Sequence, residues 1–324
     1  WKNMRINVIE FDIPTHSSCN SYSIYQGTVY YSVEYTDYLI DQTGMEVREF
    51  KPEYNTQIRA YDCESGEDRL LFQYQEERCI HITDIQANDK YVIWEEYING
   101  EPWGIRGIEL GNTEDAKVII NGEECSSALW SVTPNLRDAL FYWYDQNEDG
   151  DIYLCQYDLK NKKWNVVIEK CNLASPFEHV SVNEDIITTY QLNEKVGYDI
   201  VCWKSDLLKE KERLSFTSTV AQPIADSKRC IWASGYDVWD NKIYHYCYKN
   251  SEKEYIEIDN YFSYALENRC MIVNQKGEEE GLYCYDLVNK KYGKLDLQGE
   301  YSYWYTFQSQ DGGVYCEIND EETM

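Results

Sequence analysis

The chain has 324 residues, of which 43% are hydrophobic, and its 30 Lys and Arg stand against 58 Asp and Glu for a formal charge of −28. That sign repels phosphate backbones and anionic lipid, which argues against nucleic acid and membrane surfaces as partners, and its ordinary consequence is solubility. No run of about 18 apolar residues occurs, so no membrane-spanning helix is expected.

Taken in order, the chain opens on Trp1 instead of Met, which suggests that an upstream segment, such as a signal or an anchor, has been removed. The expected location is accordingly extracytoplasmic or membrane-anchored, with the cytoplasm as the alternative. Twelve cysteines are scattered singly, with no CxxC pair. Cys155, Cys202, Cys247 and Cys284 fall among Tyr, Ile, Leu and Trp, where a thiol serves as a small apolar filler. Reduced, buried cysteine is the expectation, and one or two disulfides are the alternative.

Arg5 to Phe11 reads as a strand with no hairpin partner beside it in sequence. From Tyr22 a repeat sets in, shown whole by residues 131 to 169. There a polar turn at Pro134 to Asp138 precedes the dense strand Ala139 to Tyr144. An acidic loop from Asp145 to Asp151 leads into Ile152 to Tyr157, and Asn161-Lys162-Lys163 turns the chain into Trp164 to Ile168. Each strand is β-branched or aromatic, and each turn is rich in Asn, Asp or Gly. The second strand of each unit begins at Val29, Tyr91, Leu140, Ile186, Cys230, Cys270 and Val314, with spacings of 62, 49, 46, 44, 40 and 44. A period of roughly 40 to 50 residues is that of four-stranded propeller blades.

The expected fold is therefore all-β: a seven-bladed β-propeller of four-stranded antiparallel blades. It is read as one domain over residues 1 to 324, with blades near 21–73, 80–121, 130–169, 177–216, 219–258, 262–297 and 303–318. The last blade is short, and residues 5–11 would supply its outer strand and close the ring, since an open sheet edge is a liability. The strands alternate little between apolar and polar residues, which fits sheets covered on both faces by their neighbours, and the 31 tyrosines suit that packing. A third-to-fourth strand turn recurs at Tyr61-Asp62, Tyr157-Asp158 and Tyr285-Asp286.

The stretch Asn135 to Tyr144 and the run Gly150-Asp151-Ile152-Tyr153 through Asp158-Leu159 resemble the blade motif of TolB-like propellers. In that motif a turn with Asp and Gly precedes an apolar strand, and a Gly-x-Ile-Tyr strand ends at Asp-Leu. The resemblance implies the fold and says little of function, because the motif is a packing device. The Ser-Pro-Asp-Gly turn of that family is degraded throughout this chain. A WD-type repeat fits less well, because the Trp239-Asp240 pair sits in an expected loop.

In a propeller, the loops between second and third strands and the links between blades emerge on one face around the channel. The links carry Arg78, His81, Trp130, His179, Thr219 and Trp304, which are the candidate ligand-binding residues, and Trp and Arg are favoured anchors in recognition surfaces. The long excursion from Thr36 to Thr56 carries Tyr38, Arg48, Phe50 and Tyr54, which either rim a binding face or belong to a small extra hairpin.

The acidic loop offers Asp145, Asn147, Asp149 and Asp151 with the opening spacing of a calcium loop. Gln156 stands where the bidentate carboxylate belongs, so a solvated acidic turn explains the same residues without metal. No cofactor is expected beyond that calcium alternative. Gly-x-Ser-x-Gly elbows, zinc-ligand spacing and phosphate loops are all missing from the sequence.

The reading is a non-catalytic, monomeric propeller that binds a protein or peptide. The alternative is a carbohydrate-active or glycan-binding propeller that uses the channel. If residues 5–11 close the ring, deletion of residues 1–11 lowers the melting temperature sharply, and an unchanged thermal melt contradicts the closure.

Overall fold

The runs of β-branched and aromatic residues form strands, and among the described residues every regular element is a strand. The computed structural model describes residues 17–35, 38–40, 46–48, 55–75, 80–98, 103–111, 117–120, 126–127, 135–169, 171, 180–183, 185–193, 197–204, 209–217, 220–234, 242–249, 251–258, 261–267, 269–275, 280–295, 301–310 and 313–320. The chain divides into two compact units, Trp1–Glu169 and Lys170–Met324.

The first unit begins with β1 (Ser17–Ser18), β2 (Tyr22–Tyr25) and β3 (Thr28–Tyr35). Next come the hairpin β4 (Tyr38–Ile40) and β5 (Glu46–Arg48), then β6 (Gln57–Asp62) and β7 (Asp68–Gln73). β2, β3, β6 and β7 pair in sequence order, and β1 joins the far end of the same edge of β3. The innermost strand thus starts before the expected Ser21 and is broken in the middle. The Ser32 hydroxyl accepts the N–H groups of Asn20 and Ser21 at 3.3 and 3.1 Å, while the Ser21 carbonyl keeps its bond from the Ser32 N–H at 2.9 Å.

The second sheet comprises β8 (Ile80–Ala87), β9 (Tyr91–Ile98), β10 (Trp103–Glu109) and β11 (Lys117–Ile120), with β12 (Ser126–Ser127) also on β10. The third is β13 (Asn135–Arg137), β14 (Leu140–Gln146), β15 (Ile152–Asp158) and β16 (Lys163–Ile168). Here the expected acidic loop is shorter than the sequence suggested. Asp145 and Gln146 stay in the ladder opposite Tyr153 and Ile152, leaving only residues 147–151 to turn.

The second unit repeats the plan. Its sheets are β17 (Ser181–Asn183), β18 (Ile186–Asn193), β19 (Gly197–Lys204) and β20 (Lys209–Phe216), then β21 (Val220–Ala225), β22 (Arg229–Ser234), β23 (Lys242–Cys247) and β24 (Glu252–Glu257). β25 (Tyr261–Glu267), β26 (Cys270–Gln275), β27 (Gly281–Asp286) and β28 (Lys291–Lys294) follow, and a two-stranded pair, β29 (Tyr301–Gln310) and β30 (Gly313–Asp320), completes the unit. The seven second strands begin within one residue of the positions read from the repeat. Residues 5–11, proposed to close the last sheet, lie outside the described residues.

The core lies between sheets. Tyr30, Ile58 and Ala60 of the first sheet pack with Ile82, Val92 and Trp94 of the second. Ile93 and Ile105 of the second sheet pack with Phe141, Trp143 and Cys155 of the third. In the second unit, Ile200 and Cys202 meet Cys230 and Trp232, while Ile231 and Ile243 meet Met271 and Tyr283. Second and third strands are therefore buried on both faces, and the alternation of a half-exposed sheet is lost. Outer strands are wet: residues Lys163 to Val166 of β16 are all exposed.

Turns are fixed by side-chain caps. At the end of β6, β15 and β27, the Oδ1 of Asp62, Asp158 and Asp286 accepts the N–H groups two and three residues on, at 2.8 to 3.1 Å. The side-chain amides of Asn161 and Asn289 add a bond to the other oxygen. At Asp158 and Asp286 partial burial works against ionisation, and these donors more than offset it, so both carboxyls titrate below the ordinary value. The hairpins before the second strands are capped likewise, with Asn88 and Asp226 accepting from Lys90 and Tyr91, and from Lys228 and Arg229.

The intersheet core generates a contrast that denaturant titration can read. Phe141→Ala, at a residue with no exposed surface, costs about 3–5 kcal/mol. Trp164→Ala, on the half-exposed outer strand, changes stability by less than about 0.5 kcal/mol. Equal losses from the two variants contradict a core placed between sheets.

Candidate functional site

Polar side chains of the first unit converge on one edge, where β3 and β9 end and β8 begins. Glu34 is the last residue but one of β3, and it is buried. One of its oxygens accepts the backbone N–H of Ile82 at 2.8 Å, and the other meets Nδ1 of His81 at 3.0 Å. This contact spans two sheets, because β3 of the first packs beside β8 of the second. The His81 side chain is 46% exposed while Glu34 is 9% exposed, so the carboxylate is the anchor and the imidazole the presented group. With Nδ1 held, Nε2 is left facing away from Glu34. The Glu34 hydrogen bond raises the His81 pKa from its ordinary 6.5, the partial loss of solvent opposes it, and the charges of Glu34 and Glu95 add to the rise.

Behind this pair lies a buried assembly. Glu95 and Glu96 follow the apolar run of β9, and alternation sends their side chains to opposite faces. Glu95 accepts the Thr83 hydroxyl at 2.7 Å. Glu96 accepts Nε–H of Arg106 at 2.7 Å and the Tyr74 hydroxyl, which itself accepts the indole N–H of Trp94 at 2.9 Å. The Arg106 guanidinium lies over the rings of Phe72 and Tyr74, 5.5 and 5.3 Å from their centroids. Burial, together with the Glu96 charge, holds the Tyr74 phenol well above its ordinary pKa, so it remains a neutral donor. Asn55 donates to the Tyr74 carbonyl at 2.6 Å, and among the described residues its own buried side-chain oxygen has no partner.

The sequence picked His81 and missed Glu34, Glu95, Glu96 and Arg106. The signal was there: carboxylates inside strands, as in Val33-Glu34-Tyr35 and Trp94-Glu95-Glu96-Tyr97, are out of place unless paired. Of the other candidates, Arg78, Trp130, His179, Thr219, Phe50 and Tyr54 lie outside the described residues. Tyr38 and Arg48 are direct partners across the β4–β5 hairpin, the small extra hairpin weighed from the sequence. Trp304 lies in β29 opposite Glu317, at an irregularity in the ladder.

The acidic turn is organised by its own backbone. Oδ1 of Asn147 accepts the N–H groups of Asp149 and Asp151 at 3.0 and 2.8 Å, and Gly150 takes the left-handed conformation at φ +85°. Asp145 points elsewhere and accepts the Tyr153 hydroxyl at 3.1 Å. Among the described residues, no group of three or more His, Cys, Asp or Glu is gathered as a metal site.

The architecture has counterparts among solved structures. Prolyl endopeptidases match with a TM-score of 0.53 at 11% identity, over 92% of this chain and 53% of theirs. A puromycin-hydrolyzing peptidase of Mycobacterium tuberculosis matches with 0.57 at 11% identity, over 94% and 50%. An oligogalacturonate lyase solved in complex with manganese matches with 0.55 at 8% identity, over 87% and 78%. At such identities the likeness is one of fold, and the fold is of the β-propeller type. The chain spans about half the length of the two peptidases. No family model matches the chain, and no curated protein does.

The buried Glu96–Arg106 pair predicts a test of coupling. Arg106→Met strands the Glu96 carboxylate and costs about 3–5 kcal/mol, and adding Glu96→Gln restores most of the loss. Losses that simply add, measured by urea unfolding, contradict the pairing.

Proposed function

We propose that the chain is a non-catalytic recognition propeller whose ligand is a protein or peptide, bound at the edge where β3 ends and β8 begins, with His81 as a direct contact. One observation carries the reading: His81 is half exposed with Nδ1 anchored on buried Glu34. The strong polar groups behind it are spent on one another. Glu96 is held by Arg106 and Tyr74, and Glu95 accepts from Thr83, so neither stands ready as an acid, base or nucleophile. An anchored ring with an outward nitrogen suits hydrogen bonding to a ligand, and little side-chain entropy remains to be lost on binding.

The two units together as one ring of seven blades, closed by residues 5–11, belong to the same proposal, as does kinship with TolB-like propellers. Calcium at the 145–151 turn is not needed for it, and the chain acts as a monomer outside the nucleic-acid and membrane-surface classes.

The carboxylate–imidazole pair also favours a second reading, a carbohydrate-active or glycan-binding propeller, because a carboxylate that orients a histidine is one arrangement for a general base.

Selection of a random-peptide phage library against the whole chain, beside a panel of soluble glycans, separates the two. The expected result is peptide ligands whose affinity falls about tenfold, or roughly 1.4 kcal/mol, in His81→Ala. For ligands that accept a proton bond from the imidazolium, affinity is full below about pH 6.5 and declines as pH rises through the raised His81 value. Glycan binding, or new reducing ends released from a glycan, with no peptide selected, overturns the first reading in favour of the second.

A further inference from the structure

We propose that Cys270 and Cys284 form a thiol–disulfide exchange site that reacts with low-molecular-weight disulfides. The site lies in the second unit and does not depend on the recognition function proposed for the first.

The geometry begins with the ladder. Cys270 opens β26 opposite Asp286, and Cys284 of β27 stands opposite Ile272, two residues along. A step of two along a strand returns to the same face, so the thiols are diagonal neighbours on one side of the sheet. Both are free, and from these diagonal positions each thiol shifts the titration of the other. Cys284 is fully buried, whereas Cys270, at the strand's first residue, is partly exposed.

The two sulfurs are differentiated. The Cys284 hydrogen bond, with help from Arg269, lowers the Cys270 pKa from 9.0 to about 7, although burial and the Asp286 charge oppose it. The same bond and burial push the Cys284 thiol up. Arg269 is itself 58% exposed and paired with Asp286 at 3.3 Å, so a cationic group flanks the accessible sulfur. A partly exposed thiol of lowered pKa beside a buried thiol is the arrangement of an attacking and a resolving cysteine.

A second pair in the same unit shows what is special here. Cys202 and Cys230 also interact, but both have no exposed surface, and the Tyr248 hydroxyl contacts the Cys202 sulfur at 3.3 Å. Nothing can reach that pair without opening the core.

The chemistry balances. The Cys270 thiolate attacks one sulfur of an external disulfide, forming a mixed disulfide and expelling one thiolate. The Cys284 thiol gives up its proton and displaces the second small thiol from Cys270. The internal disulfide is left behind, and the external disulfide, having taken two electrons, departs as two thiols. Diagonal cross-strand positions are wider apart than an unstrained bridge prefers, so the closed form pulls on the start of β26 and is readily reduced.

The test is incubation of the folded, full chain with oxidised glutathione, followed by alkylation and peptide mapping. The expected product joins Cys270 to Cys284 and reverts with dithiothreitol. Cys284→Ser stops at a glutathione adduct on Cys270, and Cys270→Ser leaves Cys284 unmodified. Preferential alkylation of Cys270 over Cys202 and Cys230 in the folded wild-type chain is a second readout that needs no variant. The proposal is overturned if the wild-type chain keeps both thiols, if it stops at the adduct, if the linked peptide contains other cysteines, or if Cys270 alkylates no faster than the sealed pair.

Discussion

Apolar contact between the faces of neighbouring sheets is the constraint on which the rest depends. Among the described residues, Trp94 is buried because the first sheet covers it, and Phe141 because the second does. Hydrophobic stabilisation is roughly proportional to area, and at these residues area is removed from water where one sheet meets the next. The strand sequences follow from it. A strand covered on both sides has no wet face, so Phe141, Tyr142, Trp143 and Tyr144 can follow one another with no polar residue between.

The same enclosure governs the polar groups. Carboxylates that enter the stack are given donors, since an ionised group left unpaired there costs several kcal/mol. Glu96 has Arg106 and Tyr74, and Glu34 has Ile82 and His81. In the second unit Asp199 has Arg213, Ser215 and Asn193, which together outweigh its burial and keep its pKa low. Among these, Glu34 is the one whose solvent-reaching donor is an imidazole; the corresponding donor of Asp199 is the guanidinium of Arg213. A buried anchor holding a presented ring is a way to build a contact point on a scaffold that otherwise hides its chemistry.

Much of the fold was legible because its signals are local. Turn residues with a fixed job, such as Asp158 before Asn161, recur at about two and three blade periods, and each marks a hairpin end through backbone hydrogen bonds that need no distant partner. The broken first strand was not legible, because it depends on the Ser32 hydroxyl reaching back to Asn20 and Ser21, a choice made by tertiary position. The site was half legible. His81 stood out as a rare residue type in a link, but its partner Glu34 is 47 residues away, and among 58 acids no sequence feature names that pairing. The relation between Cys270 and Cys284 was hidden for a similar reason: it needs the strand register, which repeat spacing fixes only to within a residue.

Because each four-stranded sheet is built from consecutive strands, the order in which the polypeptide leaves the ribosome is also an order of assembly. Hairpins with built-in caps can close within microseconds of emergence, far faster than synthesis at about 5–20 residues per second. Yet a newly made sheet has its greasy flank bare until the following one has been translated, an interval of several seconds at that pace. Sticky nascent surface is thus recreated with every round of elongation, and the highly acidic character of the chain favours solubility over association while it lasts.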